Sequence, residues 1–495
     1  MKIRINGDLP VNRYYIQSLC MLFFPGEKFS DKESETNEPR LELNVAKSDG
    51  RIRVDAVLND GISSETGISE LEFAANGLER TVKLACGYAI CEAGKKLTGV
   101  TPSFGMLVGI RPAKLVRELL MTGKTPFAVR KILRKEYLVN PKKATLCIDV
   151  AQNEQAVLER YGMDTCSLYI SIPFCPTRCA YCSFVSYSTE RLKSLIPEYL
   201  GRLCRDIERT AQRIKRLGMR LVTIYIGGGT PTILDDDQLK LLLSTVNACF
   251  DVSKLDEFTL ESGRPDTVTD EKMMIAKAFG VTRVSVNPQT LNDNILDNIG
   301  RRHTSADFFA AFESARRAGI GTINCDLIAG LPGESYPSFS KSIDGVLALE
   351  PENVTVHTFC VKKSAEFRQT EPGIYRRKSR ETEKSVDYSQ LRMKISGYLP
   401  YYMYRQKNTV GNLENVGFTL EGHAGIYNVL IMEENHTIFA VGAGAVTKFV
   451  KYNDAGIKQI ERVFEPKYPF EYLRQNEFDD DLRLEQAAGR FFGEK

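Results

Sequence analysis

Ser167-Leu168-Tyr169-Ile170-Ser171-Ile172-Pro173-Phe174-Cys175-Pro176-Thr177-Arg178-Cys179-Ala180-Tyr181-Cys182 joins a short apolar run to a segment carrying three cysteines. Pro176, Thr177 and Arg178 mark that segment as a loop rather than a core element. Thiolates are soft ligands that suit zinc or iron–sulfur clusters. A structural zinc site wants a fourth ligand, usually from a second Cys or His pair. No second Cys-x-x-Cys follows, and His303, His357, His423 and His436 lie far from the loop and from one another. A cubane cluster held by three cysteines leaves one iron without a protein ligand, and chemistry can happen there.

Working outward, the run Ser167–Ile172 opens a regular alternation. Further runs at Leu221–Ile226, Glu257–Glu261, Arg283–Asn287, Thr322–Ile328 and Asn353–Phe359 end in turn residues. Amphipathic stretches Arg191–Leu217, Asp236–Cys249, Asp270–Phe279, Ser305–Ala318 and Ser335–Leu349 separate them. Strands alternating with helices predict right-handed parallel βα units. Six strands are fewer than the eight of a closed (β/α)8 barrel, so a partial barrel of α/β class is expected. Reactive groups in such folds come from loops at the C-terminal strand ends, where the cysteine loop falls.

Residues 1–165 read as a separate α+β domain. Leu41–Val45 and Arg51–Val57 form a predicted hairpin around Ser48-Asp49-Gly50. Helices are predicted at Pro112–Leu120, Pro126–Glu136 and Pro141–Tyr161, and Asp31–Pro39 reads as a polar loop. Residues 166–360 hold the βα repeat, and residues 361–495 form a C-terminal α+β extension. That extension begins with a charged linker, Phe367–Lys384, and ends in a helix and an apolar strand-like tail around Ile426–Val450.

Composition sets the class. The chain has 495 residues, 43% hydrophobic and 26% charged, with 66 basic and 63 acidic side chains for a net charge of +3. That balance gives no bulk attraction to nucleic acid or membrane, and the basic helices around Lys114–Lys143 read as solvated faces. No long uncharged apolar run spans a bilayer and Met1–Ile5 is no signal-peptide core, so a cytoplasmic location is expected. Twelve scattered cysteines are too few for a disulfide scaffold. Cys20, Cys86, Cys91, Cys147, Cys166, Cys204 and Cys249 read as small buried hydrophobes.

Polar and glycine-rich groups recur at successive strand ends. Tyr225-Ile226-Gly227-Gly228-Gly229-Thr230-Pro231-Thr232 follows the second run, and such glycines let a ligand approach the backbone. Glu261 ends the third run, Asn287-Pro288-Gln289 the fourth, and Asp326 lies near the end of the fifth. Together they predict a pocket rim, in which Glu261 pairs with an ammonium group and Asp326 accepts from ribose hydroxyls.

Tyr169–Phe174 leading into Cys-x-x-x-Cys-x-x-Cys, then Gly-Gly-Gly-Thr-Pro-Thr, closely resembles the radical S-adenosylmethionine enzymes. More narrowly it resembles the oxygen-independent coproporphyrinogen III oxidase family. Tyr404-Arg405-Gln406-Lys407 and Gly411-Asn412-Leu413-Glu414-Asn415-Val416-Gly417 look like the HemZ branch, the coproporphyrinogen dehydrogenases. The resemblance implies a 4Fe–4S cluster on Cys175, Cys179 and Cys182, with S-adenosylmethionine chelating the open iron. Position by position, Tyr169, Tyr181, Gly228, Gly229, Thr230, Glu261, Gln289, Arg301, Asp326, Cys360 and Val446 match the family's cofactor contacts. The implied reaction forms a 5′-deoxyadenosyl radical and converts coproporphyrinogen III to protoporphyrinogen IX, each propionate losing carbon dioxide to leave a vinyl group. Its porphyrinogen carboxylates need cations, for which Arg405, Lys407, Arg301 and Arg302 are candidates. A low-potential electron donor such as flavodoxin or ferredoxin is implied, and a monomer working at low oxygen is expected.

Two departures bear on that reading. The best-known coproporphyrinogen oxidases have another cysteine at the position of Phe184 and a histidine at that of Ser171. Haem chaperones of the HemW type share the Cys-x-x-x-Cys-x-x-Cys-x-Phe pattern, but their Asn-x-x-Tyr-Trp signature is missing from this chain, which has no tryptophan. A radical methyltransferase or haem-degrading enzyme on the same core is a third alternative.

Overall fold

The computed structural model describes residues 1–30, 38–72, 77–182, 190–360 and 379–493. Phe184, most of the Asp31–Pro39 stretch and most of the charged linker lie outside the described residues. The chain divides into two compact units. One comprises Met1–Ala151 with Met403–Glu414, and the other takes up the rest of the described chain from Gln152 onward. No helix among the described residues is long and apolar enough to cross a membrane.

In the first unit, β1 (Lys2–Asn6), β2 (Arg40–Ser48), β3 (Arg51–Asn59) and β4 (Ser64–Glu72) form one sheet in that order, β1 parallel to β2 and the rest antiparallel. Strict alternation sends Leu41, Leu43 and Val45 of β2 and Ile52, Val54, Ala56 and Leu58 of β3 to the buried face. The predicted hairpin is present: Asp49 and Gly50 both have positive φ, 49° and 74°, as a tight two-residue turn requires. Helices α1 (Arg13–Phe23) and α2 (Leu78–Thr98) supply Ile16, Leu19, Phe23, Ala85, Ala89 and Ile90 to the same core. Helices α3 (Pro112–Met121), α4 (Pro126–Lys135) and α5 (Pro141–Leu158) each start on proline, whose missing N–H costs nothing at a helix N-terminus.

In the second unit, the predicted strands form in sequence order: β5 (Thr165–Ile172), β6 (Arg220–Gly228), β7 (Glu257–Glu261), β8 (Arg283–Ser285), β9 (Thr322–Ala329) and β10 (Asn353–Thr358). All neighbouring pairs among them are parallel. Helices α6 (Glu190–Lys193), α7 (Ile196–Arg216), α8 (Asp236–Cys249), α9 (Asp270–Ala278), α10 (Asp293–Asn298), α11 (Ser305–Arg317) and α12 (Tyr336–Leu347) fill the crossovers. Asp235 with Gln238, and Thr304 with Asp307, form capping boxes that fix where α8 and α11 begin. Strand β5 is buried nearly throughout, as a parallel strand covered on both faces must be.

The sheet grows at both edges. After α13 (Ser379–Ile395) come β11 (Leu399–Arg405) and β12 (Glu414–Thr419), and β12 pairs antiparallel with β10. The expected apolar tail is a helix, α14 (Ile426–Glu433), followed by three strands. Of these, β13 (Thr437–Val441) adds parallel to β5, then β14 (Val446–Tyr452) and β15 (Lys458–Phe464) continue antiparallel. The full order is β11-β12-β10-β9-β8-β7-β6-β5-β13-β14-β15. Helices α15 (Pro469–Arg474) and α16 (Glu477–Phe492) end the chain's described part.

Candidate functional site

The cysteine loop leaves β5 and is pinned from two sides. Gly229 N donates to Ile172 O at 2.8 Å and Thr230 N to Phe174 O at 2.8 Å, tying the loop to the glycine stretch after β6. Thr230 Oγ1 lies 3.4 Å from Cys175 Sγ. A Cβ on Gly229 would collide with Phe174 O and sit 3.0 Å from Cys175 Sγ, so this close approach needs glycine. From the other side, Ala180 N donates to Ile299 O at 3.0 Å, and Cys182 N to Cys179 O at 3.1 Å.

Two buried guanidiniums complete the loop's support. Arg264 Nη1 donates to Thr177 Oγ1 at 2.8 Å and reaches Cys179 Sγ at 3.7 Å, while its other edge forks onto Asp266 at 2.9 Å. Arg301 donates to Tyr181 Oη at 3.1 Å, Asn287 O at 2.6 Å and Gly263 O at 3.3 Å. Of the three loop cysteines, Cys175 and Cys179 are buried and Cys182 is half-buried. Among the described residues no three His, Cys, Asp or Glu side chains converge on a single metal-ion position. A cubane asks for something else, since its three thiolates bind three different irons.

Strand register lines up a row of groups beside the loop. Tyr169 pairs with Tyr225, Tyr225 with Thr259, Glu261 with Ser285 and Asp326 with Thr355. With two-residue periodicity, Tyr169, Tyr225, Glu261 and Asp326 therefore share one face. The rings of Tyr169, Tyr225 and Tyr427 of α14 stack, with centroids 4.7–6.1 Å apart. Burial, aided by the charge of Asp326, pushes the Glu261 carboxyl up to about 8, against the pull of the Gly228 N–H and the Tyr225 hydroxyl. Burial also works against charge on Asp326, yet His357, Asn324 and Thr355 together hold that carboxyl below its ordinary value. His357 Nε2 lies 3.6 Å from Asp326 Oδ2, and Asn324 Nδ2 donates to Oδ1 at 2.8 Å.

Gln289 follows β8 with φ of 68°, held by Gln289 N to Asp326 O and Ile328 N to Gln289 O, both 2.9 Å. Among the described residues, its buried Oε1 and the buried Ser262 Oγ have no hydrogen-bond partner. Such orphaned acceptors and donors are costly unless a ligand completes them.

The other expected site residues are placed less tellingly. Cys360 is half-buried two residues beyond β10. Val446 begins β14 opposite Phe464, after a turn whose Ala443 O accepts from Ser171 Oγ at 2.8 Å. The expected porphyrinogen cations are mostly committed elsewhere. Arg405 is buried in the first unit against the Phe104 ring and donates to Leu107 O and Asn412 O. Burial lowers its guanidinium to about 10. Lys407 sits 4.3 Å over the Tyr14 ring, Arg301 faces inward, and Arg302 is exposed. Sequence reading missed Tyr225, Tyr427, Arg264, Ser262 and His357. Only the strand register could have raised Tyr225 and His357; nothing in the sequence marked Tyr427 of the tail.

Comparison with known proteins places the family. The Radical SAM superfamily model matches residues 169–344. An oxygen-independent coproporphyrinogen-III oxidase-like protein, HemZ, of Bacillus subtilis is 33% identical over 98% of this chain and 97% of its own. The haem chaperone HemW of the same organism is 38% identical over 41% of this chain and 52% of its own. The structure of coproporphyrinogen III oxidase (HemN) from Escherichia coli, a radical SAM enzyme, superposes with a TM-score of 0.50 at 20% identity, over 67% of this chain and 73% of that one. The chain thus belongs to the radical S-adenosylmethionine superfamily and, within it, to the oxygen-independent coproporphyrinogen-III oxidase-like (HemZ) family, whose cofactors are a 4Fe–4S cluster and S-adenosylmethionine.

Proposed function

We propose that the chain oxidatively decarboxylates coproporphyrinogen III to protoporphyrinogen IX in haem biosynthesis, with Cys175, Cys179 and Cys182 as the cluster ligands. One observation carries the reading: the cysteines of a glycine-pinned loop lie beside the strand ends that carry Glu261, whose carboxyl burial pushes up to about 8, and beside a Gln289 amide oxygen and a Ser262 hydroxyl that have no hydrogen-bond partner among the described residues. This donor set fits the two cofactors. Arg264 puts positive charge against Cys179 Sγ, complementary to an anionic thiolate-ligated cluster. Glu261, with the Gly228 backbone beside it, would take the ammonium of S-adenosylmethionine, Asp326 its ribose hydroxyls, and Gln289 and Ser262 its remaining polar edge. When bound, the pair supplies a 5′-deoxyadenosyl radical for hydrogen abstraction from a propionate side chain.

The chain's own contribution is placement and exclusion of water. The Tyr169–Tyr225–Tyr427 stack, with Tyr427 buried and the other two rings half-buried, gives that side of the site an aromatic wall suited to a tetrapyrrole face. With Arg405 and Arg301 committed to internal bonds, the tetrapyrrole carboxylates must find other cations. The test is anaerobic: reconstitute the cluster, add S-adenosylmethionine, reductant and coproporphyrinogen III, and follow protoporphyrinogen and carbon dioxide. Product formation is expected.

The identity to HemW over the shared core supports a second reading, a haem-carrying chaperone. Stoichiometric haem binding without turnover would establish that reading and end the first.

A further inference from the structure

Arg264 follows β7 in a turn that fixes its backbone. Its carbonyl accepts from Thr267 N at 3.0 Å and from Thr267 Oγ1 at 2.8 Å. Thr267 Oγ1 lies 2.6 Å from Thr232 Oγ1, and Lys272 Nζ donates to Thr267 O at 3.3 Å. The turn is thereby tied to the segment after β6 and to α9. The side chain is only 4% exposed, and its guanidinium is divided between two partners. Nη1 donates to Thr177 Oγ1 at 2.8 Å and reaches Cys179 Sγ at 3.7 Å. The edge formed by Nε and Nη2 forks onto the Asp266 carboxylate, both bonds at 2.9 Å. Such a fork is preorganised, so the cation keeps its place against the sulfur. Burial works against charge on Asp266, yet the bonds from Arg264 hold its carboxyl below the ordinary value. Asp266 is therefore ionised at neutral pH. Burial, Arg301 and Arg264 push the neighbouring His303 imidazole down to about 3, so it adds no charge there.

We infer that Arg264 and Asp266 are positioning residues that set the reduction potential of the cluster on Cys175, Cys179 and Cys182, Arg264 raising it and Asp266 opposing that rise. The inference rests on the reading of those cysteines as cluster ligands. Reduction adds an electron to a thiolate-ligated cluster, and net charge and hydrogen bonds at the sulfurs govern its cost. A cation donating to a ligating sulfur stabilises the reduced form, and burial keeps water from screening it. The Asp266 charge, one fork further from the sulfur, acts in the opposite sense and more weakly. A low-potential one-electron reductant loses the electron that the cluster gains, and no bond forms or breaks.

The readout is the midpoint potential of the reconstituted cluster in the full chain, without S-adenosylmethionine or tetrapyrrole. It is titrated with dithionite through redox mediators and followed by the electron paramagnetic resonance signal of the reduced form. Arg264→Gln should lower the midpoint by at least about 59 mV, a tenfold shift in a one-electron equilibrium. Arg264→Lys keeps the charge and should recover at least half of that loss. Asp266→Asn should move the midpoint upward. A merely structural role predicts no such opposition of sign, since loosening the turn from either end disturbs the loop alike. An unmoved midpoint in Arg264→Gln with iron and sulfide retained would overturn the inference, and so would shifts of one sign in Arg264→Gln and Asp266→Asn. Where Arg264→Gln loses iron, Asp266→Asn decides: a raised midpoint sustains the inference, and an unchanged or lowered one rejects it. If these shifts appear while the parent protein releases no carbon dioxide from coproporphyrinogen III, the proposed reaction fails and the roles of Arg264 and Asp266 stand.

Discussion

Glu261 holds its proton to about pH 8 because burial and Asp326 both disfavour its charge. An ammonium beside it needs the carboxylate, so below pH 8 binding of S-adenosylmethionine must release that proton. Affinity should therefore rise with pH towards about 8 and fall above it, where the ligand's own α-ammonium loses its proton. Glu261→Gln should abolish the rise and weaken binding by about 10–100-fold, the scale of a lost charged hydrogen bond. Equilibrium binding of the cofactor at several pH values checks both, and a rise that survives in the glutamine variant would sink the assignment. Cys179→Ala should lose iron and all cofactor cleavage, whereas Cys249→Ala, on the half-exposed face of α8, should keep both. Iron and sulfide analysis of the two variants separates them. These cysteines were legible because their ligand pattern is contiguous and contains its own loop signals. His357 was not: its relation to Asp326 arises only when β10 registers on β9, across a gap of thirty-one residues in sequence that no local pattern bridges.

Element by element, α7 does more than cross between β5 and β6. Its Tyr199 hydroxyl donates to Ser171 O at 2.9 Å and accepts from Ala443 N at 2.8 Å, and its ring packs edge-on against Phe174, the residue before Cys175. One turn along the same face of α7, Arg202 stacks on the Tyr472 ring of α15 and pairs with Asp480 of α16 at 2.6 Å. Arg205, Arg209 and Arg213 continue the row onto Glu477, Asp481 and Glu485. The sequence showed α7 as amphipathic and placed its ends within a few residues. An arginine row on a helix reads as a solvated face, so its burial beneath the terminal helices could not be foreseen. Arg202 is nearly inaccessible, with its side chain 2% exposed, whereas that of Arg205 is 51% exposed. Arg202→Met should therefore cost about 3–5 kcal/mol by stranding Asp206 and Asp480. Arg205→Ala should stay within about 1 kcal/mol. Urea unfolding of both variants measures the contrast, and equal losses would show that the row acts only as surface charge.

Over the whole molecule, the strand–helix alternation fixed the order of the parallel core because each crossover is local and right-handed. The edge strands were less legible. Ile426–Val450 is apolar nearly throughout, and buried helix and buried strand look alike in such a run. The return of the chain to its first unit was also hidden, since it depends on partners hundreds of residues apart. Lys143 on α5 and Glu414 at the start of β12 are separated by 271 residues, yet they pair at 2.7 Å with side chains 2% and 0% exposed. Neither charge has water to fall back on. Glu414→Gln should then remove the carboxylate charge 2.7 Å from the buried ammonium and destabilise the first unit by about 3–5 kcal/mol. That is a large part of the 5–15 kcal/mol holding a typical domain together. Lys143→Met with Glu414→Leu removes both charges and fills the space with apolar atoms, so it should recover most of the loss. Amide hydrogen exchange in β2 and β3 reads this unit's stability separately from the rest. If Glu414→Gln leaves their protection unchanged, the ion pair is not what closes residues 403–414 onto the first unit.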